Sequence, residues 1–164
     1  MTLFNADEIL EIAVTIERNG QKFYRAAAEV TDAIEAKTLL IKLADWEASH
    51  EQRFKKMKSE LSGADYASLD PDGSVAAFLR SVADGKIFNL DAFDSDIQRM
   101  TGNLRSVFNE AIGREQVAVT YFSAVRDIVP EAFGKNSIDD IVREELSHIV
   151  ALNEMSRSLK FDGK

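Results

Sequence analysis

The 164-residue chain contains no cysteine. Disulfides, thiol nucleophiles, iron–sulfur clusters and cysteine-ligated zinc are excluded with it. Proline is nearly as scarce, with two in all, and glycine is limited to eight. So few breakers suit long helices. No apolar run approaches the roughly 18 residues of a membrane span. The first residues, Met1 to Glu8, lack the basic region of a signal peptide and soon turn acidic. A cytoplasmic protein is expected. A basic run is also missing, and 28 acidic against 20 basic residues leave a formal charge of −8. Nucleic acid and anionic membrane are therefore poor partners. What is present is ordinary for a globular protein, 45% hydrophobic and 29% charged residues. The length suits one domain over 1–164 with a substantial core.

Helical periodicity predicts four long helices at about 5–31, 33–61, 101–129 and 138–159. Asn5 is placed to cap the first, with Glu8 completing an approximate capping box. Ile9, Ala13, Ile16, Gly20, Phe23 and Ala27 follow as its stripe. The second carries Leu40, Leu43, Glu47, His50, Phe54, Met57 and Leu61. The break near Thr31 and Asp32 is short enough to make the pair an antiparallel hairpin. Thr101 or Asn103 opens the third helix and Pro130 stops it; Ser137 is the expected cap of the fourth. Residues 62–100 form a crossover as long as a bundle, with a short helix from Ser74 to Gly85. The tail from Lys160 is expected to fray. The expected fold is all-α: a left-handed four-helix bundle made of two helical hairpins joined by a long crossover.

The strongest signal is an internal repeat. Shifted by 98 residues, the distance from His50 to His148, the hairpins overlay without a gap. Asn5 falls on Asn103, Glu17 on Glu115, Tyr24 on Phe122, Leu43 on Ile141, Glu47 on Glu145 and Met57 on Met155. Both halves keep 30 residues between the lone Glu and the Glu of a Glu-x-x-His pair. Polar positions match as well as apolar ones, which amphipathicity alone does not require.

Glu17 and Glu115 each lie on an apolar face between small residues, Ala13 and Gly20 in one half, Ala111 and Ala118 in the other. Small neighbours leave room for a charged group and a ligand. Glu47 with His50, and Glu145 with His148, interrupt otherwise apolar stripes, and these are the chain's two histidines. Four buried carboxylates at one level repel one another by roughly 4 kcal/mol per close pair at an effective dielectric near 20. Desolvation adds several kcal/mol for each unpaired ion. No Lys or Arg lies on these stripes. Two divalent cations would balance the charge. One Glu from each of two helices and Glu-x-x-His from each of the other two is the ligand pattern of ferritin-like dimetal proteins. The expected ligands are Glu17, Glu47, His50, Glu115, Glu145 and His148. Glu47 and Glu145 bridge or chelate, Glu17 and Glu115 are terminal, and each histidine takes one metal. Glu144 and Glu51 fall out of the repeat and are read as flanking acids, Glu51 on the surface. Trp46 flanks the site, and Met57 and Met155 pack the core. Tyr24 and Tyr121 are core residues with the option of a hydrogen bond to a ligand carboxylate.

From about residue 5 to 159 the chain resembles the rubrerythrin-like branch of the ferritin-like superfamily. The resemblance rests on Ile16-Glu17-Arg18-Asn19-Gly20 with Phe23 and Tyr24, on Glu47 with His50, and on Arg114-Glu115 with Tyr121 and Phe122. It rests also on Glu145 with His148 and on the crossover-like segment Phe78 to Phe88. It implies a non-haem di-iron centre that reacts with hydrogen peroxide or dioxygen, in a homodimer that sometimes exchanges helices. Rubrerythrins proper carry a rubredoxin module with four cysteines; without one, an external electron donor is required. They also carry an extra Glu three residues after the third-helix ligand, which takes part in a redox-linked shift of one iron. Ala118 stands at that position here. The six-ligand set is closer to a general ferritin-like or bacterioferritin-like centre. A ferroxidase or iron-handling protein, and a non-catalytic metal-binding or interaction module, remain open, and Mn or Zn fits such ligands as well as Fe.

Overall fold

A computed structural model describes residues 6–61, 70, 72–83, 100 and 102–159. Four long helices dominate: α1 (Ala6–Glu29), α2 (Ile34–Leu61), α4 (Leu104–Ile128) and α5 (Lys135–Ser158). The short α3 (Ser74–Val82) precedes α4, and a 3₁₀ turn (Glu131–Phe133) links α4 to α5. α1 packs most extensively on α2, and α4 on α5, so the two hairpins are the primary units. None of the described helices is long and apolar enough to cross a membrane.

The apolar stripes assemble into two clusters. One joins Ile9 and Leu10 of α1, Phe54 and Met57 of α2, Tyr121 and Val125 of α4, and Ile138 and Ile141 of α5. The other joins Phe23 and Ala27, Leu40 and Leu43, Val107 and Phe108, and Leu152. Within each hairpin a cluster takes opposite ends of the two helices, as antiparallel pairing demands, whereas α2 and α4, joined by the crossover, give the same end to each cluster. On every long helix the predicted acid falls in the gap between the two clusters. The core is therefore two apolar slabs with a polar layer between them.

The helix ends show where local chemistry overrides the sequence reading. Asn103 caps α4 as expected, its side chain accepting the Ser106 amide at 3.1 Å. Pro130 follows the last turn of α4 with its φ at −65°. The start of α5 differs. It begins at Lys135 after Gly134, not at Ser137. Ser137 instead serves α2: its hydroxyl accepts Arg53 Nε at 3.3 Å and its carbonyl accepts Arg53 Nη2 at 2.9 Å. Gly134 turns the chain in the left-handed region at φ 105°. A Cβ there would lie 3.0 Å from Met57 Cγ. Strain and contact act together, so Gly134→Ala is expected to cost about 1–3 kcal/mol. A lower urea midpoint with an unchanged slope would show it.

Ser74 is the first residue of α3 and not its cap. The Asp70 carboxylate accepts the amides of Val75 and Ala76 at 3.3 and 2.8 Å, and Asp72 accepts that of Ser74 at 3.0 Å. Buried Leu79 seats α3 against α4. The expected cap at Asn5, the stop at Gly85, most of the 62–100 crossover and the tail from Lys160 lie outside the described residues.

Candidate metal centre

All six predicted ligands meet in the polar layer. None is more than 4% exposed, and Glu17 and Glu145 are fully buried. They form two quartets, Glu17–Glu47–His50–Glu145 and Glu47–Glu115–Glu145–His148, each with its ligand atoms within 4.8 Å of one another. Glu47 and Glu145 belong to both. Both imidazoles aim Nδ1 at the centre. His50 Nδ1 lies 2.8 Å from Glu145 Oε1 and 3.6 Å from Glu17 Oε2. His148 Nδ1 lies 3.0 Å from Glu145 Oε2 and 3.6 Å from Glu115 Oε1. Glu145 thus turns one oxygen to each histidine, and the two rings stack with centroids 5.7 Å apart.

The electrostatics describe a layer short of positive charge. Burial, then repulsion from Glu145, pushes the Glu17 carboxyl well above the usual range. Burial, then the charges of Glu17 and Glu145, does the same to Glu47. Burial carries Glu115 up to about 8 despite the nearby His148. Burial would raise Glu145 too, but the hydrogen bond from His148 and the close ionic contact of His50 outweigh it and hold that carboxylate well below normal. Burial disfavours the imidazoliums, yet the surrounding carboxylates raise both histidines to about 9. Among the described residues, no donor is aligned on either oxygen of Glu17; the approach of His50 Nδ1 to Glu145 is an ionic contact without hydrogen-bond alignment. Buried oxygens without donors and carboxyls forced toward protonation are what a cation would relieve. The residues fit a pair of divalent metals.

The sequence model of the Rubrerythrin family matches residues 8–156. The chain belongs to the rubrerythrin family. No curated protein matches it. Among solved structures it is similar to a ferritin-like diiron-carboxylate protein from Thermotoga maritima, with a TM-score of 0.73 and 22% identity over 96% of this chain and 97% of that one. That likeness supports the fold, and the family and the buried cluster together support a di-iron protein with a candidate dimetal site.

Around this rubrerythrin-family site the two halves are not alike. The Tyr24 hydroxyl donates to Glu115 Oε1. Its partner under the repeat is Phe122, which has no hydroxyl. Tyr121 is not brought to the carboxylates: its hydroxyl donates to the Ile9 carbonyl at 3.0 Å, so it is the core residue that the sequence suggested and the optional bond to a ligand is not made. Glu144, read as a mere flanking acid, approaches His50 Nε2 at 2.6 Å and pairs with Arg53 Nη1 at 3.0 Å. The equivalent position in the other half is Trp46, whose indole stacks on His148 at 4.9 Å and 10°. Glu51 is buried, against the surface expectation, because Arg18 Nε at 3.1 Å and Lys55 Nζ at 2.8 Å neutralise it. One signal for Glu144 was in the sequence: it sits about 100° round the helix from Glu145, on the side that meets α2, where Arg53 follows His50 by one turn.

Proposed function

We propose that the chain is a di-iron oxidoreductase that reduces hydrogen peroxide or dioxygen, with electrons supplied by a donor outside these 164 residues. The observation that carries this reading is the pair of buried quartets sharing Glu47 and Glu145. Glu17 and His50 would complete one metal site, Glu115 and His148 the other. Bound iron supplies two electrons for each substrate and Lewis acidity toward its oxygen. The protein's own residues do the rest. Glu144, itself held by Arg53, fixes the His50 ring with Nδ1 inward. Tyr24 orients Glu115 and keeps a proton beside it, because burial and the Glu115 charge push its phenol up. The apolar slabs above and below keep bulk water from the layer.

Ferroxidase activity is the second reading, favoured by Ala118 in place of the extra rubrerythrin Glu. Anaerobic reconstitution with ferrous iron tests both. Uptake of about two irons per chain is expected, followed by rapid oxidation on adding peroxide with the iron still bound. Fewer than two irons, or no oxidation, would sink the proposal. Oxidation by dioxygen with release of ferric iron or growth of a mineral would favour the ferroxidase. A protein that retains zinc or manganese and shows no response to either oxidant would be a non-catalytic metal-binding module. Homodimerisation in the cytoplasm belongs to the same proposal, and light scattering separates a dimer from a cage.

A further inference from the structure

Among the described residues, access to the acid layer is one-sided. Between α2 and α5, Trp46 covers His148, while Glu144 and Arg53 close over His50. Between α1 and α4 lies a cavity of about 190 Å³. Buried Glu47, Glu115 and Tyr24 form its inner end; partly exposed Glu110 and Arg114 stand at its mouth. Ile16, Val117 and Ala118 give it apolar walls, and buried Asn19 adds a polar group.

The size decides what it can hold. A water occupies about 30 Å³ of liquid, and an apolar cavity of about 150 Å³ takes up benzene. Hydrogen peroxide, with two heavy atoms, would leave most of this space unused. Nor is the space forced by packing. Gly20 has a steric reason to be small, since a Cβ there would meet the Glu47 carboxylate at 3.2 Å. Gly113 has none. It lines the cavity in mid-helix, and a Cβ on it would meet nothing among the described residues within 4 Å. A helical glycine is unfavourable relative to alanine, so this one keeps the cavity wide at the expense of helix stability.

We propose that this cavity binds the organic group of a hydroperoxide, ROOH, in which R is a compact body of about six to nine heavy atoms by comparison with benzene. The peroxide end would face Glu47 and Glu115. The inference rests on the peroxide-reducing reading above and specifies its substrate class. Reduction breaks the O–O bond and gives the alcohol ROH and water, consuming two protons and two electrons. The electrons are those of the ferrous pair, restored by the outside donor.

Cumene hydroperoxide and hydrogen peroxide are the probes, with Gly113→Phe as the variant that fills the cavity. The wild-type ferrous protein is expected to be oxidised by both. Gly113→Phe should lower the ratio of kcat/KM for cumene hydroperoxide over hydrogen peroxide at least tenfold. A second readout needs no iron: 2-phenyl-2-propanol, the product alcohol, should shift amide resonances of residues 16–20 and 113–118 saturably in the metal-free protein, and fail to do so in Gly113→Phe. Gly113→Ala guards against misfolding, since it should raise Tm and narrow the cavity with a smaller change in the ratio. Oxidation by hydrogen peroxide alone, without alcohol binding, overturns the inference and leaves the peroxide reading standing. An unchanged ratio in Gly113→Phe also overturns it. If neither peroxide oxidises the iron, the functional reading falls and this inference with it.

Discussion

Glu145→Ala is expected to cut metal uptake from about two ions per chain to less than one, whereas Glu17→Ala should leave about one. The difference follows from membership of the quartets. Glu145 belongs to both and turns Oε1 to His50 and Oε2 to His148. Glu17 belongs to one, and its loss leaves Glu47, Glu115, Glu145 and His148 intact. Glu145 is also the anion that balances both imidazoliums in the metal-free protein. Removing one partner of a buried ion pair costs about 3–5 kcal/mol, so Glu145→Ala should also be the less stable variant without metal. Zinc titration followed by calorimetry and elemental analysis gives the stoichiometries, and urea unfolding gives the stability. Equal stoichiometry in the two variants would show that Glu145 is not shared.

How far the site could be read from the sequence follows from symmetry. The six candidate ligands obey the 98-residue repeat, so each half pointed to the other: Glu47 picked out Glu145, and His50 picked out His148. The two-slab core was legible for the same reason, since a stripe interrupted at the same height on four helices leaves a layer. What escaped breaks the repeat. Positions 46 and 144 hold Trp and Glu, and each supports the histidine of the other half by different chemistry, stacking on His148 and an ionic hydrogen bond to His50. Tyr24 breaks the repeat too, against Phe122, but its bond to a carboxylate was among the options that its place on α1 offered. Tyr121 shares the apolar face of α4, yet face membership does not fix height, and its hydroxyl reaches the first turns of α1. The start of α5 was misplaced because Ser137 has the chemistry of a cap, while the bend needs the left-handed conformation that Gly134 supplies. The cavity depends on the separation of α1 and α4, which periodicity along either helix does not encode.

The metal-free double variant Glu17→Ala/Glu115→Ala is expected to be less stable than the parent near pH 4.5 and more stable near pH 8. Burial raises both carboxyls in the folded parent, Glu115 to about 8. Between the ordinary value of 4.5 and the folded one, the folded chain keeps protons that the unfolded chain has released. Stability therefore falls as pH rises through that window. The histidines, raised to about 9, act in the same direction: their contribution is full below 6.5 and is lost as pH climbs through 9. Glu145, held low, contributes stability that disappears only on acidification below the ordinary carboxylate range. Each displaced pKa unit is worth about 1.4 kcal/mol, so Glu115, raised to about 8, costs the parent several kcal/mol at pH 8, and Glu17 adds to that in the same direction. The variant escapes that cost but loses packed side-chain atoms, about 1–3 kcal/mol, together with the Tyr24–Glu115 hydrogen bond and the support that Glu115 gives the His148 imidazolium. The curves should cross between pH 5 and 7, seen as chemical unfolding midpoints across a pH series in chelator. Zinc should reverse the order at pH 8: at 100-fold excess over Kd a ligand stabilises the parent by about 2.7 kcal/mol, and the variant has lost a ligand from each quartet. A parent that stays more stable at every pH without metal would mean that Glu17 and Glu115 hold the bundle together themselves. The metal pair would then be incidental to the layer.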